Sequence, residues 1–317
     1  MLAAMTNLFE PIPYALWRQD RAAFADAIGR SFRETGFAVI DGHPLPKDLI
    51  QSTLDAAHTF FALPAQTKQS YYDKAAGGQR GYTPFGTENA KGSANHDLKE
   101  FWHTGRALDP DSKFLDTMMP TPSVGEIDSF DETTHAVFNE LDLFGRQLLR
   151  AIALHLKLNE AWFEDKVNHG NSILRLLHYP AQAAPPPAGT VRAAAHEDIN
   201  VITLLLGADE AGLEVLHRSG EWLPVNPPPS AIVINCGDML QRMTGGVLPS
   251  TTHRVVNPSA ERAKFSRYSM PFFLHFNPDV MIEALPSCLE EGGKAEPPIT
   301  ATDYLMERLV EIGLVKT

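Results

Sequence analysis

Cysteine is scarce in this chain: Cys236 and Cys288 are the two among 317 residues, far apart and in no Cys-x-x-Cys or Cys-His pattern. That argues against a disulfide framework and for a reducing compartment. Long apolar runs are missing too. None approaches the ~20 residues that a spanning helix needs. There is no block of basic residues, and the formal net charge is -12, which argues against a nucleic-acid or anionic-membrane partner. The opening "MLAAMTNLFEPIPYALW" has no charged segment followed by an apolar core, so no signal peptide is expected. Repeats with a period of ~20–50 residues are also absent. What is present is ordinary: 44% hydrophobic and 21% charged residues, enough for a large core. These features predict a soluble, cytoplasmic protein.

The first half has helical texture. "DRAAFADAIGRSFRETG" has apolar residues at helical spacing and ends at Gly36; after the short strand "FAVIDG", Pro46 is placed to start a second helix, "PKDLIQSTLDAAHTFFAL". In "DETTHAVFNELDLFGRQLLRAIALHLKL", Phe138, Leu141, Phe144, Leu148, Leu149, Ile152 and Leu156 make one broad apolar stripe. After residue 172 short β-branched runs alternate with Gly, Pro and Asn: "SILRLLHYP", "NVITLLLG", "LEVLHRSGEWLPV", "AIVINCGD", "THRVVNP" and "RYSMPFFLHF". Such spacing predicts a sandwich or barrel, with a hairpin turning near Ser219-Gly220. "AQAAPPPAG" and "EEGGKAEPP" are expected loops, and "TATDYLMERLVEIG" a closing helix capped by Thr300 or Thr302. The expected organisation is an N-terminal helical and mixed region (1–171), a β-core (172–280) and a C-terminal helical segment (281–317), mainly β with flanking helices.

The stretch "AAAHEDINV" puts His196 and Asp198 two apart, so in an extended strand both project to one face and Glu197 to the other. An imidazole and a carboxylate are half of a two-His, one-carboxylate triad for Fe(II) and oxygen chemistry, which needs a second histidine from another strand. The chain has 12 histidines. His58, His135 and His155 lie on expected helices, His169 in a loop and His217 at the hairpin turn. His178 and His275, in expected strands, and His253, opening one after a loop, are the candidates, and the residues alone leave His253 level with the other two.

"HED", "LEVLHRSGEWLPVNPPPSAIVINCGDML", "HRVVNP" and "SRYSMPFF", in that order, resemble the Fe(II)/2-oxoglutarate-dependent oxygenases related to isopenicillin N synthase. The likeness extends upstream to "ETGFAVIDGHPLP", "RGYTPFGTENAKG" and "DLKEFWHTGR", nearly the whole chain. It implies a double-stranded β-helix (a jelly roll, cupin-like) and makes His253 the third ligand beside His196 and Asp198. It also implies Fe(II), 2-oxoglutarate and O2 as cofactor and co-substrates. Oxidative decarboxylation to succinate and CO2 would be coupled to hydroxylation, desaturation or ring closure of a small molecule.

The distal carboxylate of 2-oxoglutarate would be buried and needs a planar cation with a second donor. Of Arg254, Arg262 and Arg267, Arg254 should face away from His253 and Arg262 lies in a polar loop. Arg267 shares a strand face with Ser269 and matches the family's Arg-x-Ser. It stands fourteen positions after His253, more than in shorter plant members, which implies a loop insertion. Tyr179 matches a tyrosine beside the co-substrate, and Tyr82, Phe101, His103 and Phe273 are candidates to line the substrate pocket. Asp238 is expected to stabilise a turn. Three other functions are compatible with parts of this pattern. One is an oxidase of this fold using O2 without 2-oxoglutarate, and another a jelly-roll protein that binds metal or ligand without turnover. The third is a zinc hydrolase, which needs a general base that Glu197, facing away, does not supply.

Overall fold

The computed structural model describes residues 8–74, 78–87, 98–182, 191–206, 212–259 and 261–311. Most of the expected 181–189 loop, and the chain after 311, lie outside them. Among the described residues, twelve strands build two sheets: β1 (Ile12–Pro13), β2 (Phe37–Asp41), β3 (Gly81–Thr83), β4 (Glu100–Gly105), β5 (Ile173–Tyr179), β6 (Ala193–His196), β7 (Ile202–Leu206), β8 (Leu213–Leu216), β9 (Trp222–Pro224), β10 (Ala231–Cys236), β11 (His253–Val255) and β12 (Arg267–Leu274). The major sheet runs β1-β2-β10-β7-β12-β5-β4-β3 and the minor sheet β6-β11-β8-β9. In the major sheet only the β1–β2 pair is parallel. Met281–Ile282 and Ile299–Thr300 form a separate ribbon.

Alternation along the strands divides the two faces of the major sheet. Leu174, Leu176, Leu204, Ile232, Ile234, Phe272 and Leu274 are fully buried against the helices. The Phe130–His155 helix lies on this face through its apolar stripe, with Phe138 edge-on to Phe272 at 5.1 Å between ring centroids. The other face meets the minor sheet: Phe37, Val39 and Val233 pack with Leu213 and Val215. Two facing sheets with helices on one outer side make the double-stranded β-helix that the resemblance implies.

Local chemistry explains the helix ends. Asp20 accepts from the Ala23 amide and caps Arg21–Thr35, which stops at Gly36 in the left-handed region (φ +72°). Pro46 immediately precedes the Lys47–Phe61 helix, and Thr300 caps Ala301–Glu311 by accepting from the Asp303 amide. The major sheet extends beyond residues 172–280, because β1, β2, β3 and β4 come from the N-terminal half. No described helix is long and apolar enough to cross a membrane.

Candidate metal centre

The pairing of β6 with β11 sets His253 directly opposite His196, and the two rings lie 4.4 Å apart between centroids. β6 ends at His196, so the extended geometry expected through Asp198 is not what brings that carboxylate in. The chain leaves the sheet there and bends, turning Asp198 inward while Glu197 stays exposed and accepts from the Thr252 hydroxyl at 2.8 Å. Backbone amides hold the bend: Asp238 donates to the Asp198 carbonyl at 2.7 Å, and Gly237 donates to the Val201 carbonyl at 2.9 Å. A side chain at Gly237 would put its Cβ 2.1 Å from the Asn200 carbonyl oxygen, so only glycine permits this approach. The "INCGD" strand end is therefore the brace of the Asp198 bend.

The donor atoms of His196, Asp198 and His253 lie within 4.8 Å of one another, the group of potential ligands that converges among the described residues. Asp198 Oδ1 is 3.7 Å from His196 Nε2 and 3.8 Å from His253 Nε2, too far for hydrogen bonds but suited to a shared ion. The other carboxylate oxygen, Oδ2, accepts from Thr203 Oγ1 at 2.5 Å and Asn235 Nδ2 at 2.8 Å. His196 Nδ1 lies 2.7 Å from the Ala194 carbonyl and His253 Nδ1 3.1 Å from the Thr251 carbonyl. Each Nδ1–H therefore donates to backbone, leaving both Nε2 lone pairs directed at the ion. Phe37 packs edge-on against His253 at 5.3 Å. Burial foremost, then His253 and Lys99, pushes His196 down to about 4, so the imidazole is neutral and ready to ligate at neutral pH. Burial alone would raise Asp198, but the two imidazoles and the bonds from Asn235 and Thr203 outweigh it and keep the carboxyl below its ordinary value. These donors fit Fe(II).

His178 points to the helix side of β5, where its Nδ1 meets Glu100 at 2.8 Å and its ring stacks on Tyr268. His275 is buried just after β12 and is not among the converging donors; burial with Arg80 nearby pushes it down to about 4.

The face of the major sheet toward the triad carries most of the other expected residues. Arg267 and Ser269 are 5% and 3% exposed and pair with Tyr179 and Leu177 of β5. The Arg267 guanidinium sits 5.1 Å over the Tyr179 ring, and Arg192, which no motif singles out, sits 5.6 Å from the same ring. Arg254 faces outward onto Glu214 and Trp222, and Arg262 is exposed. Phe101, His103 and Phe273 gather around Arg175, a second residue missed at the sequence level. Tyr82 does not join them. It pairs with Trp102 on the helix side and donates to Glu100, so a pocket-lining role is corrected to a core one.

Two imidazoles and one carboxylate held on a double-stranded β-helix define a mononuclear non-heme iron centre. Residues 170–276 match the 2OG-Fe(II) oxygenase superfamily, and residues 12–123 match the non-haem dioxygenase N-terminal family described from morphine synthesis. The chain is 32% identical over 296 residues to a 2-oxoglutarate-Fe(II) type oxidoreductase of Emericella nidulans, covering 90% of this chain and 83% of that one. It superposes on a 2OG-Fe(II) oxygenase family protein of Caulobacter crescentus with TM-score 0.90 and 49% identity, covering 97% of this chain and 100% of that one. A full-length Neurospora crassa protein, solved in complex with alpha-KG and thymine, gives TM-score 0.83 and 29% identity, covering 95% and 96%. The chain belongs to the 2OG-Fe(II) oxygenase superfamily: it is a 2-oxoglutarate- and Fe(II)-dependent dioxygenase.

Proposed function

We propose that His196, Asp198 and His253 hold the iron, that Arg267 and Ser269 hold the distal carboxylate of 2-oxoglutarate with Tyr179 beside it, and that the enzyme oxidises a small molecule by hydroxylation, desaturation or ring closure. The observation that carries this is one shared face. Arg267 and Ser269 project from β12 to the side on which Thr203 and Asn235 reach Asp198. A buried carboxylate between metal and guanidinium keeps a fixed partner at each end. The Tyr179 ring beneath Arg267 restricts the plane of the fork, so the anchor is oriented before the co-substrate arrives. Iron and 2-oxoglutarate supply the oxidising chemistry, with succinate and CO2 released. The chain positions the reactants and excludes water.

The alpha-KG complex of the Neurospora neighbour supports a co-substrate reading over an oxidase that uses O2 alone, and its thymine complex supports a small substrate. Cys236 and Cys288 are buried free thiols, which supports a reducing, cytoplasmic setting.

Arg267→Ala removes one end of a desolvated charge pair. It should weaken 2-oxoglutarate by about 2 kcal/mol or more, roughly 30-fold, while Arg262→Ala leaves the affinity unchanged. Anaerobic titration of the Fe(II) protein measures both; equal effects would mean that the anchor lies elsewhere.

A further inference from the structure

Arg80 and His275 are two buried polar side chains that the metal site does not use. Arg80 is 3% exposed, and its guanidinium lies over Gly105 of β4, where a Cβ would stand 2.0 Å from Nε. Glycine at this position makes room for the group. Nε donates to the Met119 carbonyl at 3.1 Å, Nη1 to the Gln79 carbonyl at 2.7 Å, and Nη2 to Asn171 Oδ1. All three acceptors are neutral, and burial, offset by no acid, pushes the guanidinium down to about 10, still a cation at neutral pH. Three bonds use three of its five N–H groups and leave one on each terminal nitrogen. A desolvated cation whose described partners are all neutral lacks its counter-charge.

Strand register places this cation on the metal side. Gly105 shares the parity of Phe101 along β4, on the face turned toward the triad. It pairs with Ile173 of β5, Ile173 pairs with Phe273 of β12, and Phe273 pairs with Thr203, whose hydroxyl holds Asp198. That row covers three strand spacings, about 14 Å along the sheet. His275 comes two residues after Phe273, and its amide donates to Ser172 Oγ at 3.1 Å. Its ring, in a residue 6% exposed, is hydrogen-bonded to no described residue, yet it feels the charges of both Arg80 and Asp198. A neutral imidazole with an N–H to give thus lies within range of the uncompensated cation and of the metal ligands.

We propose that Arg80 and His275 bind the carboxylate of the primary substrate, and that the enzyme oxidises a small carboxylic acid at a carbon several bonds from its acid group. The proposal rests on the dioxygenase reading of the metal site. The carboxylate takes the remaining N–H groups of Arg80 and accepts from His275, which supplies the missing counter-charge. The rest of the molecule runs along the Phe273 row, so a remote C–H, and not the carbon beside the acid, meets His196, Asp198 and His253.

The test adds hexanoate, 3-phenylpropionate and the primary amide of each, separately, to the anaerobic Fe(II) protein at saturating 2-oxoglutarate and follows the visible charge-transfer band. At least one acid should shift the band saturably and bind about 30-fold or more tightly than its amide. Arg80→Gln should erase that preference by weakening the acid alone, with 2-oxoglutarate affinity unchanged. His275→Phe should weaken the acid by about 10-fold, and it carries the test if the Arg80 variant does not fold. Equal affinity of acid and amide, a band that answers to no acid, or variants that keep the preference would overturn the assignment and leave the metal site standing. Loss of the band on adding acid would mean displacement of 2-oxoglutarate and would overturn it too. No band in the wild type would overturn the dioxygenase reading and this inference with it.

Discussion

Asp198 divides its two oxygens between tasks. Oδ2 is committed to Thr203 and Asn235, and Oδ1 is turned to the two imidazoles. A ligand carboxylate with one oxygen fixed has a single way to meet the ion, so its supporting donors should matter nearly as much as the ligands. Asn235→Ala should therefore weaken Fe(II) binding by about 10- to 100-fold without unfolding the protein. Competition with a chelating indicator measures this; wild-type affinity would show that the bend alone holds Asp198. The ligands themselves were legible from ordered motifs, since "HED" and "HRVVNP" keep their order and context. Asn235 was visible as a polar residue closing an apolar strand, but nothing local says which partner it meets. Tyr82 is misplaced by sequence alone for a related reason. All three residues of β3 are buried, so polarity does not reveal which face looks toward the metal.

Elements meet on the helix side of the major sheet around Glu100 of β4. It accepts from Lys68 Nζ at 2.8 Å and from Tyr82, and pairs with His178 of β5, while Lys68 also donates to the Phe61 carbonyl at 3.0 Å. This network joins three strands, β3, β4 and β5, to the end of the Lys47–Phe61 helix. Burial pushes the Glu100 carboxyl up, but the bonds from His178, Lys68 and Tyr82 outweigh it and hold it below its ordinary value. A carboxyl depressed in the folded state stabilises the fold above its unfolded value of about 4.3, and that stability is lost as pH falls through the folded value. Unfolding free energy should therefore decline below about pH 4.3, and Glu100→Gln should flatten part of that decline and cost about 3 kcal/mol at neutral pH. Urea melts across pH measure both; an unchanged slope in the variant would contradict the network's role. None of this was legible beforehand. His178 read only as a possible strand ligand, because the sequence does not tell which partners a buried strand histidine finds.

At the scale of the whole molecule, the function is the facing of two sheets. The minor sheet and the bend after it contribute His196, Asp198 and His253; the major sheet carries Arg267 and Ser269, the proposed co-substrate anchor. The strand-rich second half was readable from its short β-branched runs and turn residues, and the long helix from its apolar stripe. The addition of β1, β2, β3 and β4 to the same sheet was not. The joins that bring them in are long-range, β2 with β10 and β4 with β5, and leave no local signature beyond a short apolar run. The most direct test of the account adds Fe(II) and then 2-oxoglutarate, without oxygen, to the metal-free wild type, His253→Ala and His178→Ala. The charge-transfer band of iron-chelated 2-oxoglutarate should form in the wild type and in His178→Ala, and fail in His253→Ala. A band that survives in His253→Ala, or that is lost only in His178→Ala, would contradict the assigned metal centre.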